Sequence, residues 1–158
     1  MDSIRNIPLR KGLLKSLQVK IVQTEKEKQD AFEVRKTVFV EEQNVPLEEE
    51  IDEFDHTATH FVLYDGDLPV GAGRFREVDG YGKVERICVL SSYRKSKGAG
   101  RIIMDQIEQH AKEEGFTKLK LNAQTHAEGF YSKLGYETVS DIFMDAGIPH
   151  VTMIKSIA

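Results

Sequence analysis

The chain has 158 residues, 40% hydrophobic and 30% charged, with a formal net charge of -4 and one cysteine. That length suits a single domain with a real core, and the acidic balance argues against nucleic acid, whose partners are usually basic. One cysteine excludes an internal disulfide and fits a reducing, cytoplasmic setting, and no apolar run approaches the length of a membrane span.

The opening segment 1–17, MDSIRNIPLRKGLLKSL, is mildly basic but lacks the apolar stretch and cleavage site of a signal peptide. It reads as an extension, leaving 18–158 as one domain. Gln18–Gln23 alternates polar and apolar residues as a half-buried strand does. Thr24 and Glu27 are spaced as a capping box for the next helix, whose apolar face carries Ala31, Val34 and Val38 and which Pro46 ends or interrupts. Glu41–Asp55 holds eight acids and no base. Its ordinary reading is a solvated loop or short helix; its sharper reading is a wall that attracts an amine or polyamine.

Thr59–Tyr64, the turn Asp65-Gly66-Asp67 and Leu68–Val78 form a hairpin, with Gly71 and Gly73 allowing a bulge or close approach. A second turn, Asp79–Gly82, leads to an apolar β-favouring run from Val84 to Leu90. Behind a cationic loop, Ala99, Ile103, Ile107 and Ala111 recur every fourth residue, so one face of a long helix is apolar. Gly98 and Gly100 leave backbone N–H groups unobstructed where the helix dipole is positive, the recipe for a phosphate or pyrophosphate site. Arg94, Lys95, Lys97 and Arg101 surround it with charge. Gly115 ends the helix, and Phe116–Leu121 must cross over to lie parallel to the central strand. A short helix over Ala127–Leu134 and two strands, Tyr136–Phe143 and His150–Ile157, close the domain.

These segments, ERICVLSSYRKSKGAG, LNAQTHAEGFYSKLGY and DAGIPHVTM, resemble in order the GNAT superfamily of N-acetyltransferases over roughly residues 18–155. The family's Arg/Gln-x-x-Gly-x-Gly/Ala signature falls on Lys95-Ser96-Lys97-Gly98-Ala99-Gly100. Lysine stands where Arg or Gln is usual, and Arg94 sits one residue early. VRKTVFVEEQNVP, EEEIDEFD and GIPH are similar to the ElaA-like subgroup of small bacterial members. The resemblance implies an α+β fold, a mixed six- to seven-stranded twisted sheet with helices on both faces. It also implies acetyl-CoA as cosubstrate and direct attack by a primary amine in a ternary complex.

It further implies roles. The N–H groups from Lys97 through Gly98, Ala99 and Gly100 to Arg101 would take the pyrophosphate, with Arg94 and Lys95 in support. Main-chain groups of Ile87, Cys88 and Val89 would hold pantetheine as an added strand, and Val89 N–H would meet the oxyanion. Glu85 and His150 are both candidate bases. Strand alternation places Glu85, Ile87 and Val89 on one face, whereas histidine is the side chain best suited to proton transfer near neutrality. Tyr131 is the candidate general acid and Asn122 a side-chain partner for pantetheine or the substrate amide. Cys88 reads as a small core residue rather than a nucleophile. His56 and His60 lie on a strand pattern without a zinc motif, so no metal is expected. Arg35, Arg74 and Arg76 would fix a carboxylate or phosphate on the acceptor, unless they are ion-pair partners. The acceptor expected is a small amine, with or without a carboxylate, and exposed strand edges suit a homodimer. Two rivals share these features: a non-catalytic acyl-CoA sensor, and a phosphate- or nucleotide-binding regulatory domain.

Overall fold

The computed structural model describes residues 17–95 and 98–158. The N-terminal extension lies outside the described residues, apart from Leu17, which opens the first strand. Ser96 and Lys97 of the glycine loop lie outside them too. After β1 (Leu17–Ile21) comes α1 (Glu25–Arg35). Its capping box forms as the spacing predicts: Glu27 N–H donates to Thr24 Oγ1 at 3.1 Å, and Thr24 N–H donates to Glu27 Oε1 at 3.2 Å. The helix does not run on to Pro46. Beyond Arg35 it widens into a π-helical segment, Lys36–Glu42, closed by Gln43 N–H on the Val38 carbonyl at 3.2 Å.

The acidic stretch folds as α2 (Leu47–Glu50) and a 3₁₀ turn, Glu53–His56. β2 (Thr59–Asp65), β3 (Leu68–Val78) and β4 (Tyr81–Val89) then form an antiparallel meander. α3 (Ala99–Glu113) crosses over to β5 (Lys118–Gln124), which runs parallel to β4. α4 (Glu128–Lys133), β6 (Glu137–Thr138), β7 (Phe143–Asp145) and β8 (Ile148–Ser156) complete the chain. The single sheet runs β1-β2-β3-β4-β5-β8-β6, with β7 also on β8. It has eight strands, one more than the upper expectation. The segment read as one strand, Tyr136–Phe143, is two, because Ser140 Oγ takes the Thr152 N–H at 2.8 Å and interrupts the ladder.

Helices cover both faces. Ala31 and Val34 of α1 and Val38 of the π-helical segment pack on Val62, Ala72 and Cys88, while Ile103, Ile107 and Ala111 of α3 pack on Phe61, Leu63, Leu121 and Met153. Gly71 and Gly73 serve close approach: a Cβ at either would stand 2.8 Å from an isoleucine methyl, Ile103 and Ile87 respectively.

Two irregularities shape the site. The first is a bulge in β4. Ala72 lies opposite Cys88 and Arg74 opposite Glu85, so β4 carries one residue more than β3, and Arg86 adopts φ 58°. The bulge resets the alternation. Glu85 shares the α1 side with Arg74, whereas Ile87 and Val89 pack into the core beneath α3. The expected common face for Glu85, Ile87 and Val89 is thereby corrected. The second is a split between β4 and β5. Their ladder runs only from Gly82 and Leu119 to Val84 and Leu121. On their outer sides the ladders continue to Val89 with Gly71 and to Gln124 with His150. The two central strands therefore part, leaving a wedge. Leu90 N–H is donated to Val70 O at 2.9 Å, so alternation turns the backbone groups of Val89 the other way, into the gap.

Candidate active site

The wedge opens into a cleft of about 690 Å³ lined from both faces of the sheet. At one end lie Arg94, Lys95 and the first turn of α3, Gly98 to Arg101. Gly98 is the N-cap at φ 65°, a left-handed conformation, and among the described residues no side chain caps the helix. Among the described residues the first N–H groups of α3 are therefore without an intrahelical or capping acceptor, as an anion cradle requires. Gly100 has a second reason to be glycine, since a Cβ there would stand 3.0 Å from the ring of Phe130. Arg94 is anchored, its Nε donating to Val89 O at 2.9 Å and its Nη2 to a Glu42 carboxylate oxygen. Arg101 is largely exposed beside Asp105.

Midway, the cleft is walled by Ile87, Cys88 and Val89 of β4, by Asn122 to Gln124 of β5, and by Tyr131 of α4. The Cys88 thiol is fully enclosed, and burial pushes its pKa up to about 12, so it is a packed side chain and not a nucleophile. Asn122 Oδ1 accepts from Thr152 Oγ1 at 2.9 Å. Tyr131 is buried among Phe130 and Tyr136. Burial raises its phenol well above the usual range, which holds the proton on it.

The two candidate bases fare differently. Glu85 accepts from Arg76 Nε at 2.8 Å and Arg74 Nε at 3.0 Å, with Lys83 Nζ at 3.6 Å. Burial raises its pKa, but Arg76 and Arg74 outweigh burial and hold the carboxyl below its ordinary value. A carboxylate so stabilised is a poor proton acceptor. His150 also lines the cleft, on β8 opposite Gln124. Its Nδ1 lies 2.7 Å from the Ile148 carbonyl. A carbonyl only accepts, so the ring proton sits on Nδ1 and the lone pair on Nε2. Phe143 stacks on the ring at 6.0 Å between centroids and fixes its plane.

The arginines expected to meet the acceptor do not reach it. Arg35 is 1% exposed, its Nε on Glu50 at 2.9 Å and its Nη1 on Asp55 at 2.8 Å. Arg74, also 1% exposed, is bound by Asp52 at 2.7 Å, Asp55 at 2.9 Å and Glu85 at 2.8 Å. Arg76 takes Glu85 on one side and lies 3.7 Å from the centroid of the Phe54 ring on the other. None of the three lines the cleft. The acidic stretch is thus neither a plain solvated loop nor wholly a substrate wall. Glu50 and Asp55 are buried counter-ions, and burial, which raises the Asp55 pKa, is outweighed by Arg35, Asp52 N–H and Arg74. Arg86, at the bulge, joins them through Asp52 Oδ2 at 3.1 Å and the Glu50 carbonyl at 3.0 Å.

The sequence reading missed several cleft residues. Gln43 and Gln124 exchange two amide hydrogen bonds, at 2.9 and 3.3 Å, across 81 residues of chain. Phe39, Val45, Glu49, Arg86 and Asp145 also line the cleft. No local motif marks them; the π-helical widening, α2, the bulge, the strand split and the β7–β8 hairpin bring them there. Among the described residues no group of three or more His, Cys, Asp or Glu is placed to hold a metal, and no helix is long and apolar enough to cross a membrane.

A mixed sheet split between two parallel strands, with an uncapped helix N-terminus at one end of the split, is the acyl-CoA N-acyltransferase architecture. The family model for the acetyltransferase (GNAT) domain matches residues 21–157, and the chain belongs to that family. Bacillus subtilis (strain 168) has an uncharacterized N-acetyltransferase, YjcF, 56% identical over 85% of this chain and 96% of its own length. The same strain has a putative acetyltransferase, BSU40680, 49% identical over 88% and 96%. A crystal structure of a putative N-acetyltransferase from Lactobacillus plantarum is 27% identical and superposes with a TM-score of 0.83 over 90% of this chain and 99% of that one. Escherichia coli ElaA shares the fold at 22% identity, with a TM-score of 0.77 over 88% of this chain and 99% of its own. The chain is an acetyl-CoA-dependent acetyltransferase of the GNAT family.

Proposed function

We propose that this acetyltransferase moves the acetyl group to a small primary amine by direct attack in a ternary complex, with His150 as base and Tyr131 as acid. One observation carries the reading. The wedge between β4 and β5 joins an anion cradle at Gly98–Arg101 to an imidazole whose Nε2 is left as an acceptor. Acetyl-CoA supplies an activated acyl carbon and a thiolate leaving group. The uncapped N–H groups of α3, with Arg94 and Lys95, suit its pyrophosphate. Backbone groups of the parted β4 edge suit the pantetheine amides. Val89 N–H, turned into the gap, suits an acyl oxygen that gains charge.

An alkyl ammonium must lose a proton before it can attack, and its pKa is about 10. Nε2 of His150 takes that proton, and the freed amine then attacks, so that the N–C bond forms and the C–S bond breaks. The Tyr131 hydroxyl gives its proton to the departing sulfur and recovers one from the attacking nitrogen, which sheds its second proton as it becomes an amide. Glu85 contributes electrostatically, fixing Arg74 and Arg76. Cys88, with its raised thiol pKa, gives no reason to invoke an acetyl-enzyme. The test is calorimetric titration with acetyl-CoA, using ATP as control ligand, followed by free-thiol release over an amine panel. Binding of acetyl-CoA with turnover that disappears in His150→Ala is the expected result. Binding without turnover on any amine would favour the sensor, and competition by ATP the nucleotide-binding domain.

A further inference from the structure

Resting on the transferase reading above, we infer that the preferred acceptor is an aliphatic amine carrying a second cationic group, a straight-chain diamine in the simplest case, and not an amine carrying a carboxylate or phosphate. The inference comes from accounting for every charge that faces the acceptor end of the cleft. Two cations line that end, Lys83 and Arg86. Both are engaged: Lys83 Nζ lies 3.6 Å from Glu85 Oε2, and Arg86 Nε lies 3.1 Å from Glu50 Oε2. An anionic acceptor would have to take one of them from a carboxylate already held within the fold.

The carboxylates are not all engaged. Glu49, on α2, and Asp145, on the β7–β8 hairpin, line the cleft from separate elements. Neither side chain makes an ion pair or hydrogen bond among the described residues. Behind Glu49, Glu50 also lines the cleft. It is 2% exposed, and its Oε1 accepts no hydrogen bond among the described residues, a buried acceptor still wanting a donor. The ion-pair network beneath sets five cations, Arg35, Arg74, Arg76, Lys83 and Arg86, against four carboxylates, Glu50, Asp52, Asp55 and Glu85. Glu49 and Asp145 outweigh that single excess. Between these groups Phe39, Val45 and Ile148 supply apolar wall, which suits methylene groups joining two amines.

The experiment uses the full chain, saturating acetyl-CoA and three acceptors of equal chain length: a diamine, a monoamine and an ω-amino acid. Free-thiol release should give the diamine the highest kcat/KM, with the ω-amino acid about tenfold or more below it. The gap should narrow as salt is raised, since screening weakens exposed pairs. The double variant Glu49→Gln, Asp145→Asn should raise KM for the diamine severalfold and shrink its lead over the monoamine. An ω-amino acid that equals or beats the diamine, or a lead untouched by the double variant, overturns the inference. A second arm titrates diamine and ω-amino acid into the protein saturated with CoA and reads binding alone. If acetyl-CoA binds but no amine is acetylated, the small-amine transferase reading fails. In that case diamine binding without amino-acid binding still supports the inference, and the absence of diamine binding overturns it.

Discussion

The two ends of the cleft are built from different materials. The cofactor end is mostly backbone: a left-handed glycine, the open N–H groups of a helix start, and a strand edge released when β4 and β5 part. Its parts lie within about one stretch of chain, from Ile87 to Arg101. The acceptor end is mostly side chains, drawn from the π-helical segment, α2, β4, β7 and β8 and backed by buried ion pairs that reach α1 and β3. A backbone site is largely indifferent to the side chains placed on it, so long as the glycines remain. A site of interlocked charges depends on each member, because removing one leaves another buried and unpaired. The difference teaches where each end will fail.

Five measurements test that contrast. The largest effect belongs to His150, where loss of a positioned base lowers kcat by about a hundredfold to ten-thousandfold. Steady-state rates of His150→Ala should show it, and a loss under tenfold would return Glu85 to contention. Next is Arg74→Met. It takes one partner each from Asp55, Asp52 and Glu85, and breaking a buried network in this way costs about 3–5 kcal/mol. A urea midpoint within error of the parent protein would show that the network is not structural. Third, Gly98→Val forces a β-branched residue to φ 65°, a strain of about 1–2 kcal/mol. Acetyl-CoA affinity should fall about tenfold, and calorimetry that finds no change would deny the cofactor end its backbone character.

Fourth is a pH effect confined to the side-chain end. His60 is buried, with Nε2 on the Asp55 carbonyl at 2.9 Å and Nδ1 without a partner among the described residues. Burial lowers its pKa, and Arg35 and Arg74 add to this while Asp55 opposes it. The unfolded chain therefore takes up the proton first, and stability falls as pH drops below about 6.5, the unfolded value. Asp55 and Glu85, with lowered pKa values, keep their contribution above about 4 and lose it as pH falls further. Urea midpoints from neutral pH downward should show both phases, and His60→Gln should erase the first. Survival of that phase in the variant would assign it elsewhere. The smallest effect is a gain. Glu42→Gln releases Arg94, and acetyl-CoA should bind about two- to threefold tighter, the scale of an exposed pair. Weaker binding would mean that Glu42 presents Arg94 to the cofactor.

The same division explains what the sequence disclosed. The fourfold spacing of Ala99, Ile103, Ile107 and Ala111 and the Thr24–Glu27 box are short-range signals, and each forms as read, while Gly98 stands at the start of the helix that follows it. The crossover to a parallel β5 followed from topology alone. Arg35, Arg74 and Arg76 could not be assigned so easily. Their partners stand 9 to 22 residues away, and a surface arginine and a buried one look alike in a string of letters. Glu85 was misplaced for a different reason. Alternation assumes an unbroken strand, and a bulge at a non-glycine residue leaves no local sign. Gln43 and Gln124 had no pattern to reveal them, since their meeting depends on a π-helical turn and a strand split that arise only in the assembled fold.

The bulge at Arg86 carries one more consequence. It acts as a phase marker for the second half of β4, because every side chain after it points according to how many residues precede it. Losing the bulge while Arg86 stayed in the ladder would change no residue type, yet it would turn Ile87 and Val89 toward α1 and Cys88 toward α3. The two cores would trade contents across the sheet, and the backbone donor of Val89 would be presented to β3 instead of to the gap. In this protein the left-handed backbone of one residue at that point sets more of the site than the identity of most side chains.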